Sequence, residues 1–333
     1  MSRLNRTVSV APMMDCTDKH ERFFLRLISK NVLLYTEMIV SEAIDRGDKK
    51  KLLEFDMREK PVALQLGGSS PKLLGNAAHL GEEFGYDEIN LNLGCPSKKV
   101  QKNRFGACLI QEPNLVADCL SSMISKTSLP VTVKTRIGYD NIDQYENLYN
   151  FINILKDTGV KTFIIHARKA MLGKFTPKQN LNIPPLKYEY VNRLKKDFKD
   201  LEIIINGGIT STEQIKEHLD NVDGVMIGRS IYHSPYMLAD IEREIFKNDD
   251  VPSRQNIIEQ LIPYVKEELK KGTRLNQIMR HTLGLFHGQT GASYWKRYLS
   301  ENMCVRDADV KKIDHIRDKI KYNNVDTRVG QSA

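Results

Sequence analysis

The chain has 333 residues, of which 41% are hydrophobic and 28% charged, and its formal net charge is +8. The composition is that of an ordinary globular protein, and no apolar run approaches the roughly 20 residues needed to span a membrane. The short polar start, residues 1–6, does not have the pattern of a signal peptide, and the five cysteines include no CxxC pair. We therefore expect a cytoplasmic protein without membrane association, disulfide framework or zinc site.

Short apolar runs alternate with longer amphipathic stretches along the first two thirds of the chain. The eight runs with strand character are Val8–Ala11, Val32–Tyr35, Val62–Leu66, Ile89–Leu93, Val131–Lys134, Thr162–Ile165, Ile203–Ile205 and Gly224–Ile227. Between them lie candidate helices such as Lys72–Phe84 and Tyr145–Thr158, which have apolar residues at helical spacing. Eight alternating βα units are enough to close a barrel. The sequence thus predicts an α/β fold with a (β/α)8 TIM barrel in residues 1–245, and a doubly wound open sheet is the alternative.

After Arg229 the strand-like runs stop and the pattern becomes helical. The segment Phe246–Arg254, which contains Pro252 and two adjacent aspartates, is typical of a linker. Three helical segments are predicted beyond the barrel, at Ile257–Leu269 with Gly272 as its cap, at Ile278–Phe286 and at Val310–Ile320. We therefore expect a small all-α domain in residues 246–333.

The positive charge is concentrated towards the C-terminal end. From residue 243 onward there are 17 Lys and Arg against 12 Asp and Glu, whereas the preceding residues have 33 against 30. Such an excess favours a polyanionic partner, because each neutralised phosphate releases condensed counterions. Many basic proteins nevertheless bind no nucleic acid, so charge alone does not identify RNA as the partner.

Polar residues interrupt or end several of the predicted strands. In a TIM barrel the active-site groups lie at the C-terminal ends of the strands. Lys134 and His166 end neighbouring strands, where both can face a cofactor ring or a substrate carbonyl, although a lone histidine there is often structural. A buried ammonium without a partner is costly, which favours an anionic neighbour for Lys134. A flavin fits this requirement, since its reduced ring is negative near one edge, and Gln65 can hydrogen-bond to its polar edge.

Two glycine turns follow the last two strands. Asn206-Gly207-Gly208 ends the seventh strand, and Gly228-Arg229 ends the eighth. Loops at these two places commonly form the phosphate site of a TIM barrel, because glycine lets the backbone approach a phosphate and arginine adds a charged fork. The alternative is that the glycines only serve tight turns. Their combination at these two strands favours phosphate binding.

The segment from Asn90 to Ser97 is a strand followed by a loop that displays Cys95. A free cysteine has a pKa of about 8.5, so near neutral pH it is mainly a thiol that can donate a proton. A buried, inert cysteine is the alternative. Its place at a strand end between Gly94 and Pro96 favours catalysis.

Motifs distributed along the chain match one known family. They are Ala11–Asp15, Leu34–Met38, Pro61–Gly68, Gly85–Ser97, Val131–Gly138, Ile164–Ala170, Asn206–Gly208, Gly224–Arg229, Leu283–Phe286 and Tyr298–Asn302. With these motifs the sequence resembles the tRNA-dihydrouridine synthases, most closely their bacterial A subgroup, over nearly its whole length. The run Gly85–Ser97 is close to a family signature.

The resemblance implies an FMN-binding TIM barrel and a C-terminal helical domain that binds tRNA. It implies that NADPH delivers hydride to FMN, that FMN delivers it to C6 of a D-loop uridine at positions 20 and 20a, and that Cys95 protonates C5 from the opposite face. The implied FMN contacts are Pro12, Met13, Met14, Gln65, Lys134 and His166 around the ring, and Asn206, Gly207, Gly208, Gly228 and Arg229 along the phosphate arm. The implied RNA contacts are Asn92 at the target nucleotide and Arg168, Lys178, Lys296 and Arg297 elsewhere. We expect the enzyme to be a monomer.

Two positions depart from the pattern of the A subgroup. Leu181 and Ser293 stand where the family pattern has arginine. These changes leave the chemistry intact, but they leave open how tRNA is oriented and which uridine is reduced.

Two other functions compete with this hypothesis. An FMN barrel enzyme that acts on free dihydropyrimidines would share the phosphate site, Lys134 and a catalytic cysteine, but would not need a basic helical domain. The second is a flavin-free tRNA-binding protein that uses the barrel only as a scaffold. The presence of the whole set argues against it: Gln65, Cys95, Lys134, His166 and Arg229. Colour separates the last case, because a flavoprotein is yellow.

Overall fold

The computed structural model describes residues 4–305, 308–317 and 319. The chain divides into two compact units. The barrel unit contains residues up to Thr17 and from Val32 to Gly228, and the helical unit contains Asp18–Asn31 and the residues from Arg229 onward. Within the described ranges, no helix combines the length and apolar character needed to cross a bilayer.

The barrel unit is built on one parallel sheet. Its strands are β1 (Val8–Val10), β2 (Leu34–Tyr35), β3 (Ile39–Val40), β4 (Val62–Gly67), β5 (Glu88–Leu93), β6 (Val131–Arg136), β7 (Thr162–His166), β8 (Glu202–Asn206) and β9 (Gly224–Ile227). The spatial order is β1-β9-β8-β7-β6-β5-β4-β2, and β3 also pairs with β4. Since β2 and β3 lie one after the other along β4, they are two pieces of a single barrel strand.

The ring closes between the first and second strands of the barrel. Leu33 pairs in parallel with Ser9 of β1, its amide donates to Val8 at 3.2 Å, and its carbonyl accepts from Val10 at 2.9 Å. Strand β1 therefore has a neighbour on both sides. The predicted (β/α)8 barrel is confirmed, and the open-sheet alternative is wrong.

The described helices follow the predicted alternation with strands. In chain order they are α1 (Lys19–Ile28), α2 (Ser41–Arg46), α3 (Lys49–Leu53), α4 (Pro71–Glu83), α5 (Lys98–Lys102), α6 (Pro113–Ile124), α7 (Tyr145–Lys156), α8 (Pro177–Asn182), α9 (Tyr188–Asp197), α10 (Thr212–Leu219), α11 (Arg229–His233), α12 (Met237–Glu244), α13 (Arg254–Lys270), α14 (Leu275–Met279) and α15 (Ala292–Asn302). Short 3-10 helices lie at Met57–Glu59, Gly106–Gln111 and Arg280–Thr282. The helices predicted at Lys72–Phe84 and Tyr145–Thr158 correspond to α4 and α7.

The helical unit includes α1, which follows the first barrel strand in the sequence. The Phe23 ring stacks on Tyr264 of α13 with centroids 3.9 Å apart, and the Tyr264 hydroxyl lies 2.7 Å from Nδ1 of His20. Asp18 caps α1 and also accepts from Arg280 at 2.6 Å. The two compact units divide at residues 228 and 229, whereas the sequence predicts a domain boundary at residues 245 and 246, which stays a prediction.

The C-terminal helices differ from the prediction in one place. The first predicted helix is α13, and Gly272 just beyond it has a φ of +89°. The continuous helix predicted at Ile278–Phe286 is wrong, because α14 ends at Met279 and only a short 3-10 helix and turns follow. Gly284 there packs so closely that a Cβ would lie 2.3 Å from the carbonyl oxygen of His233. Residues 310–317 are helical, and the predicted end of the third helix at Ile320 lies outside the described residues.

Candidate active site

Polar side chains from five neighbouring strands meet at the C-terminal end of the barrel. We call them the strand-end cluster: Gln65, Asn92, Lys134, His166 and Asn206. Asn92 of β5 pairs with Lys134 of β6, and His166 of β7 pairs with Asn206 of β8. The parallel register thus places all five on one edge, as the barrel topology requires.

Lys134 is held inside this cluster. Its Nζ donates to Oδ1 of Asn206 at 3.0 Å, and the Asn206 amide donates to the carbonyl of Met226 at 2.8 Å. Burial, and secondly the positive charge of Arg136, lowers the pKa of Lys134 to about 7. Near neutral pH the amine is therefore divided between its charged and neutral forms, and an anionic neighbour would favour the charged one.

A chain of amide hydrogen bonds fixes the loop that carries Cys95. Gln65 donates to Oδ1 of Asn90 at 2.8 Å and accepts from the Asn92 amide at 2.8 Å. The Oδ1 of Asn92 then accepts from the backbone amides of Gly94 at 3.1 Å and Cys95 at 3.0 Å. Gln65 therefore fixes the orientation of the Asn92 side chain, and Asn92 in turn holds the backbone of the Cys95 loop.

The chain of hydrogen bonds continues into the barrel interior, where five residues form what we call the inner network. Asn90 donates to Oγ1 of Thr132 at 2.8 Å, and Thr132 donates to Oε1 of Glu88 at 2.6 Å. Tyr35 donates to the same oxygen at 2.6 Å, and Nε of Arg6 pairs with the other oxygen at 2.6 Å. Glu88 is fully buried and Arg6 is 5% exposed. A buried ion pair is therefore linked through consecutive hydrogen bonds to the loop at the barrel end.

Sequence reasoning missed the inner network, although a signal was present. Glu88, Asn90 and Asn92 occupy alternate positions of β5, so their side chains face the same side of the strand. Three polar residues on the interior face of a buried strand require partners, because an unsatisfied buried polar group is costly. The partners come from strands distant in sequence, and only the barrel brings them together.

The thiol of Cys95 is half-buried beside the strand-end cluster. Burial raises the pKa of the thiol, and the backbone of Ser97 and the charges of Arg136 and Lys134 only partly offset this effect. The side chain is therefore a protonated thiol at neutral pH. Gly106 packs against the Cys95 carbonyl with a φ of +75°, and a Cβ there would lie 2.7 Å from that oxygen.

Arg136 is a further residue that sequence reasoning did not single out. It is 4% exposed, its Nε donates to the carbonyl of Gly94 at 2.8 Å, and its Nη1 donates to the carbonyl of Lys169 at 3.1 Å. Burial lowers its pKa to about 10, so it remains charged at neutral pH. It ties the Cys95 loop to the loop after β7.

The glycine turn after β8 has a demanding backbone. Gly207 and Gly208 have φ values of +119° and +74°, in the region that favours glycine. A Cβ on Gly207 would lie 2.6 Å from Cδ2 of His166, and one on Gly208 would lie 2.6 Å from Cδ1 of Leu186. The turn is therefore required for the packing of His166, whether or not it also binds a phosphate.

The other residues singled out from the sequence lie in several places. Pro12 and Met13 are half-buried after β1, Met14 is exposed, and a Cβ on Gly228 would lie 3.2 Å from Sδ of Met13. Arg229 is exposed at the start of α11. Of the predicted RNA contacts, Arg168 donates to the carbonyl of Pro184, and Lys178 on α8 and Lys296 and Arg297 on α15 are exposed. At the two positions that depart from the family pattern, Leu181 is half-buried and Ser293 is exposed. The structure thus brings together the strand-end cluster and Cys95, while Arg229, Lys296 and Arg297 belong to the helical unit.

Comparisons with known proteins agree with this arrangement. The family model described as "Dihydrouridine synthase (Dus)" matches residues 9–321. The chain is 55% identical to the tRNA-dihydrouridine(20/20a) synthase of Synechocystis sp. over 90% of each chain. It is 50% identical to the protein of the same name from Shewanella oneidensis, over 97% of this chain and 95% of the relative. It is 52% identical to that of Escherichia coli, over 92% of this chain and 89% of the relative. The chain therefore belongs to the dihydrouridine synthase family.

Proposed function

We propose that this chain is a flavin-dependent oxidoreductase that reduces uridine to 5,6-dihydrouridine in the D-loop of tRNA, at positions 20 and 20a. The observation that carries the proposal is a protonated thiol, a lysine and a set of amides on one edge of a barrel from this family. The relatives' names support the substrate and the positions. We further propose FMN as the flavin, NADPH as the reductant, a monomeric state and a cytoplasmic location.

The strand-end cluster has the donors that a flavin ring requires. The ring has an edge of carbonyl oxygens and ring nitrogens, which accept hydrogen bonds from amides and from an ammonium. Lys134 and Gln65 are such donors, and Asn92 beside them would contact the target nucleotide. A ring that becomes negative on reduction would raise the pKa of Lys134 from about 7 and hold it charged. The residues present therefore fit the cofactor.

The phosphate of FMN would be held by the glycine turns and by Arg229. Gly207, Gly208 and Gly228 have no Cβ, so a phosphate can approach their backbone amides closely. Arg229 follows Gly228 directly in the chain and adds a cation. Pro12, Met13 and Met14 would border the ring.

When bound, the flavin supplies the hydride, and the protein residues orient the substrate and manage the proton. The high pKa of Cys95 keeps a proton on its sulfur at neutral pH, so the thiol can deliver it to C5 of uracil. Asn92 holds the thiol loop through two backbone amides, and Arg136 holds it through the carbonyl of Gly94. Lys134 would compensate the negative charge of the reduced ring. His166, which packs on Gly207, would contact the same ring.

The substrate must leave its stack in the folded RNA before it can reach Cys95. Unstacking a base costs a few kcal/mol, which contacts to the phosphate backbone can offset. Arg168 and Lys178 in the barrel unit and Lys296 and Arg297 in the helical unit are the cations proposed for this role. Leu181 and Ser293 stand where the family pattern has arginine, so these two cations are absent from the proposed contacts.

A reconstituted reaction tests the proposal. The purified protein should be yellow, and with FMN, NADPH and an unmodified tRNA transcript it should form dihydrouridine that maps to the D-loop. Free uracil serves as the control substrate. Reduction of uracil without reduction of tRNA would instead indicate an enzyme of free pyrimidines, and a colourless protein that FMN cannot reconstitute would indicate a binding protein.

A further inference from the structure

A cavity of about 1000 Å³ opens beside Cys95 in the barrel unit. Its lining includes the apolar side chains of Met38 and Phe105, which we call the floor, and residues of α2, α3 and α5. A Cβ on Gly67 would lie 2.9 Å from the Met38 sulfur and 3.1 Å from Cδ2 of Phe105, so the strand end is in direct contact with the floor. This volume is at the upper end of small-molecule sites and exceeds what a single base needs.

Three cations line the cavity, and we call them its rim. Arg46, Lys51 and Lys99 line it and are exposed, and none of their side chains forms an ion pair with any residue in the described part of the chain. Glu42 and Asp48 also line the cavity, so the net charge of its lining is +1. Asp48 is engaged as the cap of α3, where it accepts from the Lys51 amide at 3.1 Å.

Two of the three helices that supply this rim are rich in lysine. Helix α3 has the sequence KKKLL and α5 has the sequence KKVQK, so each carries three lysines and no acidic residue. Cations spread over several helices above an apolar floor match the combination that binds single-stranded nucleic acid, in which bases rest on apolar surfaces and a basic groove follows the phosphates.

We propose that this cavity binds the nucleotide adjacent to the target uridine in the RNA strand, with its base on the apolar floor and its phosphates at Arg46, Lys51 and Lys99. The inference rests on the proposed function, because Cys95 at the cavity edge marks where the target base is protonated. A dinucleotide reductant shares the chemistry of base and phosphate. NADPH presents a diphosphate and a separate 2′-phosphate, so spread cations could serve either ligand. Cys95, which protonates the target base, lines the cavity, and this favours the RNA strand that continues from that base.

The test compares two variants of the full-length, flavin-loaded protein. Lys51→Ala/Lys99→Ala removes two rim cations, and Lys161→Ala removes an exposed lysine just before β7, at the opposite end of the barrel strands. Binding of an unmodified tRNA transcript is measured by fluorescence anisotropy as a function of salt. Each phosphate contact on a single strand contributes about 0.7 to the slope of log affinity against log salt, so the double variant should lose about 1.4.

The outcomes separate the possibilities. The proposal requires a shallower slope in the double variant and a wild-type slope in Lys161→Ala, with unchanged melting temperatures and unchanged anaerobic reduction of the flavin by NADPH. Equal slopes in the two variants would overturn it. So would a raised KM for NADPH with an unchanged tRNA slope, which would assign the cavity to the reductant. Because binding needs no turnover, a wild-type protein that binds tRNA without forming dihydrouridine refutes the proposed function separately.

Discussion

The inner network makes a strong prediction for Glu88→Gln. The carboxylate of Glu88 accepts hydrogen bonds from Arg6, Tyr35 and Thr132, each at 2.6 Å, and is fully buried. Glutamine keeps the size of the side chain but removes the charge that Arg6 requires. One end of the new group is also an NH2 that faces donors, so at least one of the three hydrogen bonds is lost.

The magnitude follows from the buried ion pair. Removing one partner of such a pair typically costs about 3–5 kcal/mol, because the other charge stays buried. Arg6 retains a second carboxylate, Glu202 at 3.0 Å, whose side chain is 12% exposed. We therefore expect a loss at the lower end, about 3 kcal/mol of unfolding free energy. Since domains are stable by about 5–15 kcal/mol, the variant should still fold.

Urea unfolding of the flavin-free protein at pH 7 measures this loss. Glu112→Gln is the matched control, because Glu112 pairs with Arg104 at 2.7 Å but the two side chains are 40% and 70% exposed. An exposed pair contributes about 0–1 kcal/mol, so the control should be close to wild type. A loss of less than about 1 kcal/mol in Glu88→Gln, or equal losses in both variants, would show that the buried pair does not stabilise the barrel.

The same variant should affect catalysis through Asn92. If Asn90 and Gln65 reorient, the Cys95 loop loses its fixed position, and kcat for tRNA should fall while KM for tRNA stays the same. A Glu88→Gln enzyme with wild-type kcat would show that the inner network stabilises the barrel without positioning the thiol.

Three further predictions concern the proposed flavin site. Arg229→Ala should lower the flavin content that survives gel filtration, because a phosphate contact is lost, and undiminished content would contradict this role. Gly207→Ala should displace His166 and lower both the melting temperature and the flavin content. The new Cβ would lie 2.6 Å from the His166 ring, and the φ of +119° is unfavourable for alanine. A melting temperature equal to that of the wild type would contradict this packing. In flavin-free protein Lys134 has a pKa of about 7, below its ordinary value of 10.5. Between pH 7 and pH 10.5 the lysine is therefore mostly neutral in the folded protein but protonated in the unfolded chain. Because the unfolded state binds more protons, the contribution of Lys134 to the free energy of unfolding rises with pH. The stability advantage of Lys134→Met over wild type, measured by urea unfolding, should therefore shrink from pH 7 to pH 10, and an advantage that is constant or grows would contradict the shifted pKa.

Much of the barrel could be predicted because its strands are short apolar runs separated by amphipathic helices. The runs at Val62–Leu66 and Thr162–Ile165 became β4 and β7 with ends shifted by only one residue. Strand ends in a parallel barrel all meet on one edge, so predicting the strands also predicted that Lys134, His166 and Asn206 converge.

The features that could not be predicted depend on contacts between distant segments. Helix α1 follows a barrel strand, yet its Phe23 and His20 pack on Tyr264, more than 200 residues away. Likewise, the segment Ile278–Phe286 was predicted as a helix, but the chain forms turns around Gly284, which packs against the backbone of His233. Arg136 was visible only as a polar residue after a strand, because its role depends on the carbonyl of Gly94 in a different loop.

The most direct test of the account is the rate at which tRNA oxidises the reduced flavin in Cys95→Ala. The enzyme is first reduced with NADPH without oxygen and then mixed rapidly with unmodified tRNA, while flavin absorbance is recorded. General acid catalysis contributes about 10²- to 10⁴-fold, so we expect a slowing of that size, with flavin content, tRNA affinity and reduction by NADPH unchanged. A Cys95→Ala enzyme that oxidises its flavin with tRNA at the wild-type rate would contradict the assignment of the thiol as the proton donor.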